Sequence, residues 1–155
     1  MKLNPKGEVP VLVVDDAPIV GSEETVDFLM KDTALPGKGD RTATSSRWRA
    51  IVNEKLKPVG KRAVFSGSSA DIASLNEVLR ELEECLMPGE GGGDGPFVCG
   101  GVFTAADASA FPFLQRVHGE FGFPEDCERL REWHDSACRR PSVKKTIKRD
   151  FWWWW

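Results

Sequence analysis

Four cysteines and two histidines are the residues whose types could support thiol or metal chemistry. The cysteines lie far apart and form no CxxC pair, and no histidine stands at metal-ligand spacing from them. Reduced thiols in the core are therefore expected, because free cysteine is among the most buried residue types. These cysteines are Cys85, Cys99, Cys127 and Cys138. His118 and His134 each fall inside a helical pattern without a serine or cysteine partner beside them, which predicts partly buried structural imidazoles.

Two polar clusters stand where helices are predicted to begin. Ser22 is predicted to cap a helix, with Glu23 and Glu24 in the first turn, where the helix dipole favours negative charge. Thr104 and Asp107 have the spacing of a reciprocal capping box, in which each side chain binds the backbone N–H of the other residue. The second cluster is predicted to stabilise a helix start rather than to perform catalysis.

A glycine-rich stretch, PGEGGGDGP, occupies residues 88–96. A phosphate-binding loop needs a Lys-Ser or Lys-Thr pair that opens a helix directly after the glycines. No such pair follows, so a flexible loop is predicted.

Bulk properties exclude several classes of protein. The formal net charge of −3 gives no basic face for nucleic acid. No apolar run approaches the roughly 18 residues of a membrane span, and the first twelve residues lack the apolar core of a signal peptide. These features predict a cytosolic protein of one compact domain or two small ones.

The elements that must position the polar clusters divide the chain unevenly. Residues Glu8 to Val14 predict a short buried strand, residues 15–18 a turn, and Ile19 and Val20 a second strand, so the pair forms a hairpin. A helix with one apolar side follows, then a linker over residues 33–46 with proline and several glycines. Everything beyond the linker is predicted to be helical. Its apolar stripes are Trp48, Ile51, Val52 and Leu56, and then Ile72, Leu75, Leu79, Leu82 and Leu86.

Two blocks of sequence, NPKGEVPVLVVDD…IVGSEETVDFL and GPFVCGGVFTAADASAFPFL, resemble the glutathione transferase superfamily over residues 3–141. The second block is similar to the dehydroascorbate reductase and omega-like branch. The resemblance implies an α+β fold that is mostly α. It implies a partial thioredoxin-like domain at residues 1–32, an all-helical C-terminal domain at residues 47–150 and an aromatic tail at residues 151–155.

The resemblance also implies a binding site for glutathione as co-substrate, with no metal. The proline that matches Pro10 is cis in the family, and the backbone of Val9 would pair with the cysteinyl part of glutathione like an added strand. Ser22 would bind the γ-glutamyl carboxylate through its hydroxyl and N–H at a helix N-terminus. The family usually carries Glu, Gln or Asp where this chain has Gly21, and Glu23 is the candidate to replace it.

The strand–helix–strand unit that precedes the proline strand in the family is not found in this sequence. That unit carries the Tyr, Ser or Cys that activates the glutathione thiol, so no catalytic residue is assigned. The chain could be a natural truncation, a fragment or a mispredicted start. The hairpin and its single helix are expected to pack against the helical bundle, since a lone hairpin is marginally stable. Trp48 and Phe111 are expected to line the pocket for the second substrate.

Three functions are compatible with these features. The first is glutathione-dependent thiol transfer, conjugation or dehydroascorbate reduction, with a small electrophile, disulfide or dehydroascorbate as second substrate and a monomer or homodimer as the working form. The second is a non-catalytic helical module for binding or assembly. The third, less favoured, is peripheral contact with an anionic membrane through the basic residues 139–149 and the tail Phe151 to Trp155.

Overall fold

A computed structural model of the protein describes residues 4–5, 7–30, 43–88 and 94–147. The strands are β1 (Val11–Val14) and β2 (Ala17–Val20), and the α-helices are α1 (Ser22–Met30), α2 (Ala43–Ala50), α3 (Lys57–Ser66), α4 (Ser69–Cys85), α5 (Ala105–Phe121), α6 (Glu128–Arg139) and α7 (Pro141–Thr146). A π-helical segment, Ile51–Leu56, joins α2 to α3. The aromatic tail, most of the predicted linker and the middle of the glycine-rich stretch lie outside the described residues.

The hairpin is tighter than the sequence predicts. Val14 pairs with Ala17, so the turn contains two residues, Asp15 and Asp16, rather than four. Both have positive φ, at 48° and 63°, which is the backbone of a type I′ turn and matches the twist of the flanking strands. The prediction of a buried strand from residue 8 is wrong. The strand begins at Val11, and Val9 is 83% exposed because no second layer of the described residues covers it.

A continuous helical stretch runs from α2 through the π-helical segment into α3, since the junction residues Ala50 and Lys57 both have α-helical dihedrals. The predicted stripe of Trp48, Ile51, Val52 and Leu56 is buried along it. The stretch begins at Ala43, inside the linker predicted at 33–46. Ser45 is fully buried there, because a small side chain fits where α2 approaches the bundle, although its polar composition resembles a linker.

Two further helices form the centre of the bundle. The α4 stripe is confirmed, with Leu75, Leu79 and Leu82 inaccessible to solvent, while Ile72 and Leu86 are partly buried. Small residues in α5 allow close approach of its neighbours, and this helix contacts α1, α2, α3 and α6. Helix α5 therefore passes through the middle of the bundle.

The architecture is α+β and mostly α, as predicted. The hairpin does not stand alone, because α1 packs on α5. No α1 residue is fully buried, so this docking uses half-buried apolar side chains together with ion pairs. Among the described residues, no helix combines the length and apolar character needed to span a bilayer.

Candidate functional site

One backbone hydrogen bond ties the start of α1 to the segment that precedes β1. The N–H of Gly21 donates to the carbonyl of Pro10 at 3.0 Å. This bond continues the hairpin register beyond the pair Val11 and Val20. It places Val9, Pro10, Gly21 and Ser22 next to one another, and we call these four residues the hairpin corner. The peptide bond between Val9 and Pro10 is cis, as the resemblance implies.

The hairpin corner combines an uncovered backbone with a helix N-terminus. Val9 and Pro10 are exposed and lie outside the strand ladder. The carbonyl of Gly21 accepts the Thr25 N–H at 3.2 Å and the Thr25 hydroxyl at 2.6 Å, so Gly21 takes the capping position. The prediction that Ser22 caps the helix is wrong by one residue. Ser22 is the first residue of α1, where backbone N–H groups have no partner within the helix.

Gly21 is suited to this position by its backbone. Its φ of +110° is a conformation that residues with a side chain rarely adopt. The space beside it is occupied, since a Cβ built on Gly21 would overlap Oε2 of Glu24. The carboxylate of Glu24 therefore lies against Gly21. Gly21 is the position at which the resemblance implies a Glu, Gln or Asp side chain.

The other two acidic residues of α1 face the helical bundle. Arg49 of α2 donates to both carboxylate oxygens of Asp27, at 3.2 and 2.5 Å, and lies 3.3 Å from Oε2 of Glu23. Glu23, which the sequence suggests as a ligand for the γ-glutamyl end, thus has a cationic partner already. The sequence gives no sign of Arg49 at this site, because only the tertiary packing brings α2 beside α1.

Lys57, at the start of α3, adds a second cation near the acidic residues of α1. Its ammonium hydrogen-bonds Asn53 and lies 4.7 Å from the centre of the Phe113 ring. Burial lowers the pKa of Lys57, and the negative charges of Glu23 and Glu24 oppose that change. The N-terminal end of α1 therefore carries negative charges on its own carboxylates and faces the positive charges of Arg49 and Lys57 on the bundle.

The Thr104 and Asp107 cluster lies in the core, and both bonds of the predicted capping box are present. Asp107 Oδ2 accepts the Thr104 N–H at 2.8 Å, and Oδ1 accepts the Val98 N–H at 3.1 Å and the indole N–H of Trp133 at 2.7 Å. Burial raises the pKa of Asp107, and these hydrogen bonds oppose the shift. Trp133 was not singled out from the sequence, although it shares a helical stripe with Leu130 in α6.

Within the described residues, the cysteines and histidines form neither an activated thiol nor a metal site. None of the four cysteines, all of which are described, forms a disulfide. Burial raises the pKa of Cys85 and Cys138, and raises that of Cys127 to about 11, so these thiols are protonated at neutral pH. The described residues contain no group of three or more His, Cys, Asp or Glu side chains arranged to hold a metal ion.

The two histidines differ in exposure. His134 is buried as predicted, and its Nε2 lies 2.8 Å from Oε1 of Gln115. His118 is exposed, so the prediction of partial burial is wrong for it. Its ring lies at the surface and makes tilted contacts with the rings of Phe123 and His134.

The residues expected to line a second-substrate pocket belong to the core instead. Trp48 is inaccessible to solvent, packs 5.5 Å from the Trp133 ring and donates its indole N–H to the Ala106 carbonyl. Phe111 is 7% exposed and packs 6.1 Å from the same ring. Large aromatic side chains on the inner face of a helix fill the bundle before they can line a cleft.

Comparison with known proteins gives the helical part a family. The family model for the glutathione S-transferase C-terminal domain matches residues 43–136. Glutathione S-transferase GST-4.5 of Xanthomonas campestris pv. campestris is 28% identical over 134 residues, which cover 76% of this chain and 63% of that protein. Glutathione S-transferase 3 of Glycine max is 22% identical over 161 residues, which cover 95% of this chain and 71% of that protein. The chain thus spans less than two thirds of the Xanthomonas relative. Because the matched domain covers more than half of the chain and begins where the described bundle begins, this chain belongs to the glutathione transferase superfamily.

Proposed function

We propose that the chain binds glutathione at the hairpin corner, and that its inherited chemistry is glutathione-dependent thiol transfer, conjugation or dehydroascorbate reduction. The observation that carries this proposal is the 3.0 Å hydrogen bond from the Gly21 N–H to the Pro10 carbonyl. It brings an exposed backbone segment, which lies outside the strand ladder, beside a helix N-terminus. Glutathione is a short peptide with an anionic end.

Each part of the corner has a proposed role. The backbone at Val9 and Pro10 pairs with the cysteinyl unit, since this exposed segment continues the edge of the hairpin and a peptide can add to such an edge as a further strand. The hydroxyl and N–H of Ser22 bind the γ-glutamyl carboxylate, which the positive end of the α1 dipole also favours. The bound tripeptide then presents its thiol along the outer side of the hairpin.

The proposed catalytic step needs a group that stabilises the glutathione thiolate, because the thiolate is the nucleophile. The chain contains no tyrosine, and Cys85 is its first cysteine. The cysteines with shifted pKa values in the described residues are shifted upward, which does not favour a thiolate. This favours a second candidate function, a non-catalytic module that binds glutathione or a partner through the same fold. An assay of the purified chain with glutathione and either 1-chloro-2,4-dinitrobenzene or dehydroascorbate distinguishes the two functions. Conversion of either substrate supports the enzyme, and no conversion of either supports the non-catalytic module.

Replacing Ser22 with alanine tests the binding site directly. Hydrogen bonds to charged groups contribute about 1.5–3 kcal/mol, so we expect glutathione to bind roughly ten- to a hundredfold more weakly to the variant. Isothermal titration calorimetry of the full chain with reduced glutathione measures the change. Ser46→Ala, on the exposed side of α2, is the matched control and should bind like the wild type. Equal affinity for both variants would remove Ser22 from the site.

The two glutamates that follow Ser22 can be separated by charge-neutral variants. Glu23 is paired with Arg49, whereas Glu24 lies against Gly21, so Glu24 is the better placed partner for the α-ammonium of glutathione. We expect Glu24→Gln to weaken glutathione binding about fivefold and Glu23→Gln to change it less than about twofold, because an exposed ion pair contributes up to about 1 kcal/mol.

An analogue of glutathione that lacks the α-amino group is the control for this comparison. It should bind wild type and Glu24→Gln equally. The opposite ranking of the two variants would return the role to Glu23, as the sequence alone suggests.

The wider assignments also stay proposals. The dehydroascorbate reductase and omega-like branch, the cytosolic location and a monomeric or homodimeric state follow from the resemblance and composition. Light scattering coupled to size-exclusion chromatography would decide the oligomeric state.

A further inference from the structure

A strongly basic stretch around Ser142 takes no part in the proposed glutathione site. It reads RRPSVKKT over residues 139–146 and contains four cationic side chains and no carboxylate. Its cations are Arg139, Arg140, Lys144 and Lys145. Ser142 is exposed, and within the described part of the chain its hydroxyl has no hydrogen-bond partner. A serine hydroxyl centred in such a field is suited to carry a phosphate.

Ser142 lies just after α6, as the second residue of α7. Arg140 is extended, with φ of −66° and ψ of 132°, and Pro141 follows it. Arg139 is exposed at the end of α6, so a guanidinium stands three residues before Ser142 and another two residues before it. Guanidinium groups form bidentate pairs with carboxylates, and charge patterns of this kind select substrates for protein kinases.

We propose that Ser142 is a phosphorylation site for an arginine-directed serine kinase. The Ser142 oxygen attacks the γ-phosphorus of Mg-ATP, the bond from that phosphorus to the β,γ-bridging oxygen breaks, and ADP leaves. The hydroxyl proton passes to the catalytic carboxylate of the kinase. The proposal does not depend on glutathione binding.

Access to the kinase requires α7 to separate locally from the bundle. Val143 is 8% exposed, whereas the residues on both sides of it are exposed. The helix contains six residues and packs mainly on α6. Short helices with few buried side chains open at a lower free energy than the whole domain, so the site can be reached without global unfolding.

The phosphorylated product would be held by its own surroundings. A phosphoserine carries up to two negative charges and three acceptor oxygens, and nearby guanidinium groups bind it by charge-assisted hydrogen bonds. Arg140 lies 4.5 Å from the Phe103 ring, and its buried Nε has no hydrogen-bond partner among the described residues. The guanidinium of Arg140 is thus anchored on an aromatic ring two residues before Ser142.

The test treats the folded full chain with Mg-ATP and the catalytic subunit of a cyclic-AMP-dependent protein kinase, followed by mass spectrometry. We expect one phosphate on Ser142 and none at that position in Ser142→Ala. Arg139→Gln removes a guanidinium that would pair with a carboxylate of the kinase. Loss of one such charged pair weakens binding about tenfold, so the variant should be phosphorylated about tenfold more slowly. Arg47→Gln, which alters an exposed arginine of α2, should keep the wild-type rate.

Three results would overturn the proposal. They are phosphate on Thr146 or elsewhere in place of Ser142, phosphorylation of Ser142 only after the chain is unfolded in urea, and equal rates for Arg139→Gln and Arg47→Gln. Far-UV circular dichroism of each variant confirms that the compared chains are folded.

Discussion

Replacing Asp107 with alanine should lower the free energy of unfolding by about 4 kcal/mol, because it strands several buried donors that each cost about 1–3 kcal/mol when unpaired. The carboxylate accepts hydrogen bonds from the backbone of Thr104 and Val98 and from the indole of Trp133. It is inaccessible to solvent, so water cannot replace these bonds. Urea unfolding followed by far-UV circular dichroism measures the loss.

Asp126→Ala is the matched control for this prediction. Asp126 is an exposed aspartate whose carboxylate pairs with Arg80 at 2.6 Å. A surface pair of this kind contributes at most about 1 kcal/mol, so the control should unfold close to the wild type. Asp107→Asn, which keeps the volume and one acceptor oxygen, should fall between the two and stays informative if Asp107→Ala does not fold. Equal losses for Asp107→Ala and Asp126→Ala would contradict the structural role of the cluster.

Stability should also rise by about 3 kcal/mol between pH 4 and pH 6.5 through His134 alone. The pKa of His134 is lowered to about 4, mainly by burial and in part by the charge of His118, while Asp135 opposes both effects. Below pH 6.5 the unfolded chain binds a proton at this residue that the folded chain does not bind until about pH 4. The unfolded state therefore gains protons as the pH falls, and the contribution is complete only above pH 6.5.

Urea unfolding of wild type and His134→Gln from pH 4.5 to pH 8 tests this. Glutamine is neutral throughout, so the free-energy difference between the two proteins should change across the window and become constant above pH 7. Carboxylates that titrate at acid pH, including Asp107, are present in both chains and cancel in the difference. Two parallel curves would show that His134 does not titrate with a lowered pKa.

Several parts of the fold could be predicted because they depend on local chemistry. The stripe of Leu75, Leu79 and Leu82 follows helical spacing, and the Thr104 and Asp107 box follows a fixed interval of three residues. The hairpin was also predictable from a strand, a turn and a second strand. Its turn was misjudged because type I′ turns are usually signalled by Asn-Gly or Asp-Gly, whereas this turn consists of Asp15 and Asp16.

The candidate site was predictable only in part. Val9, Pro10 and Ser22 came from the order and spacing that the chain shares with a family. The bond between Gly21 and Pro10 joins residues eleven positions apart, and the pairing of Arg49 with Glu23 and Asp27 joins two different helices. Such contacts depend on how elements pack, which the pattern of one segment does not record.

The sequence by itself determined the helices, their inner faces, the hairpin and the capping box, because each arises from residues within a few positions of one another. Only the tertiary structure decided that Trp133 completes the Asp107 cluster, that Trp48 and Phe111 fill the core, and that Glu23 pairs with Arg49. The physical reason is that burial and pairing depend on which surfaces meet. That choice is made by the packing of whole helices rather than by any single stretch of chain.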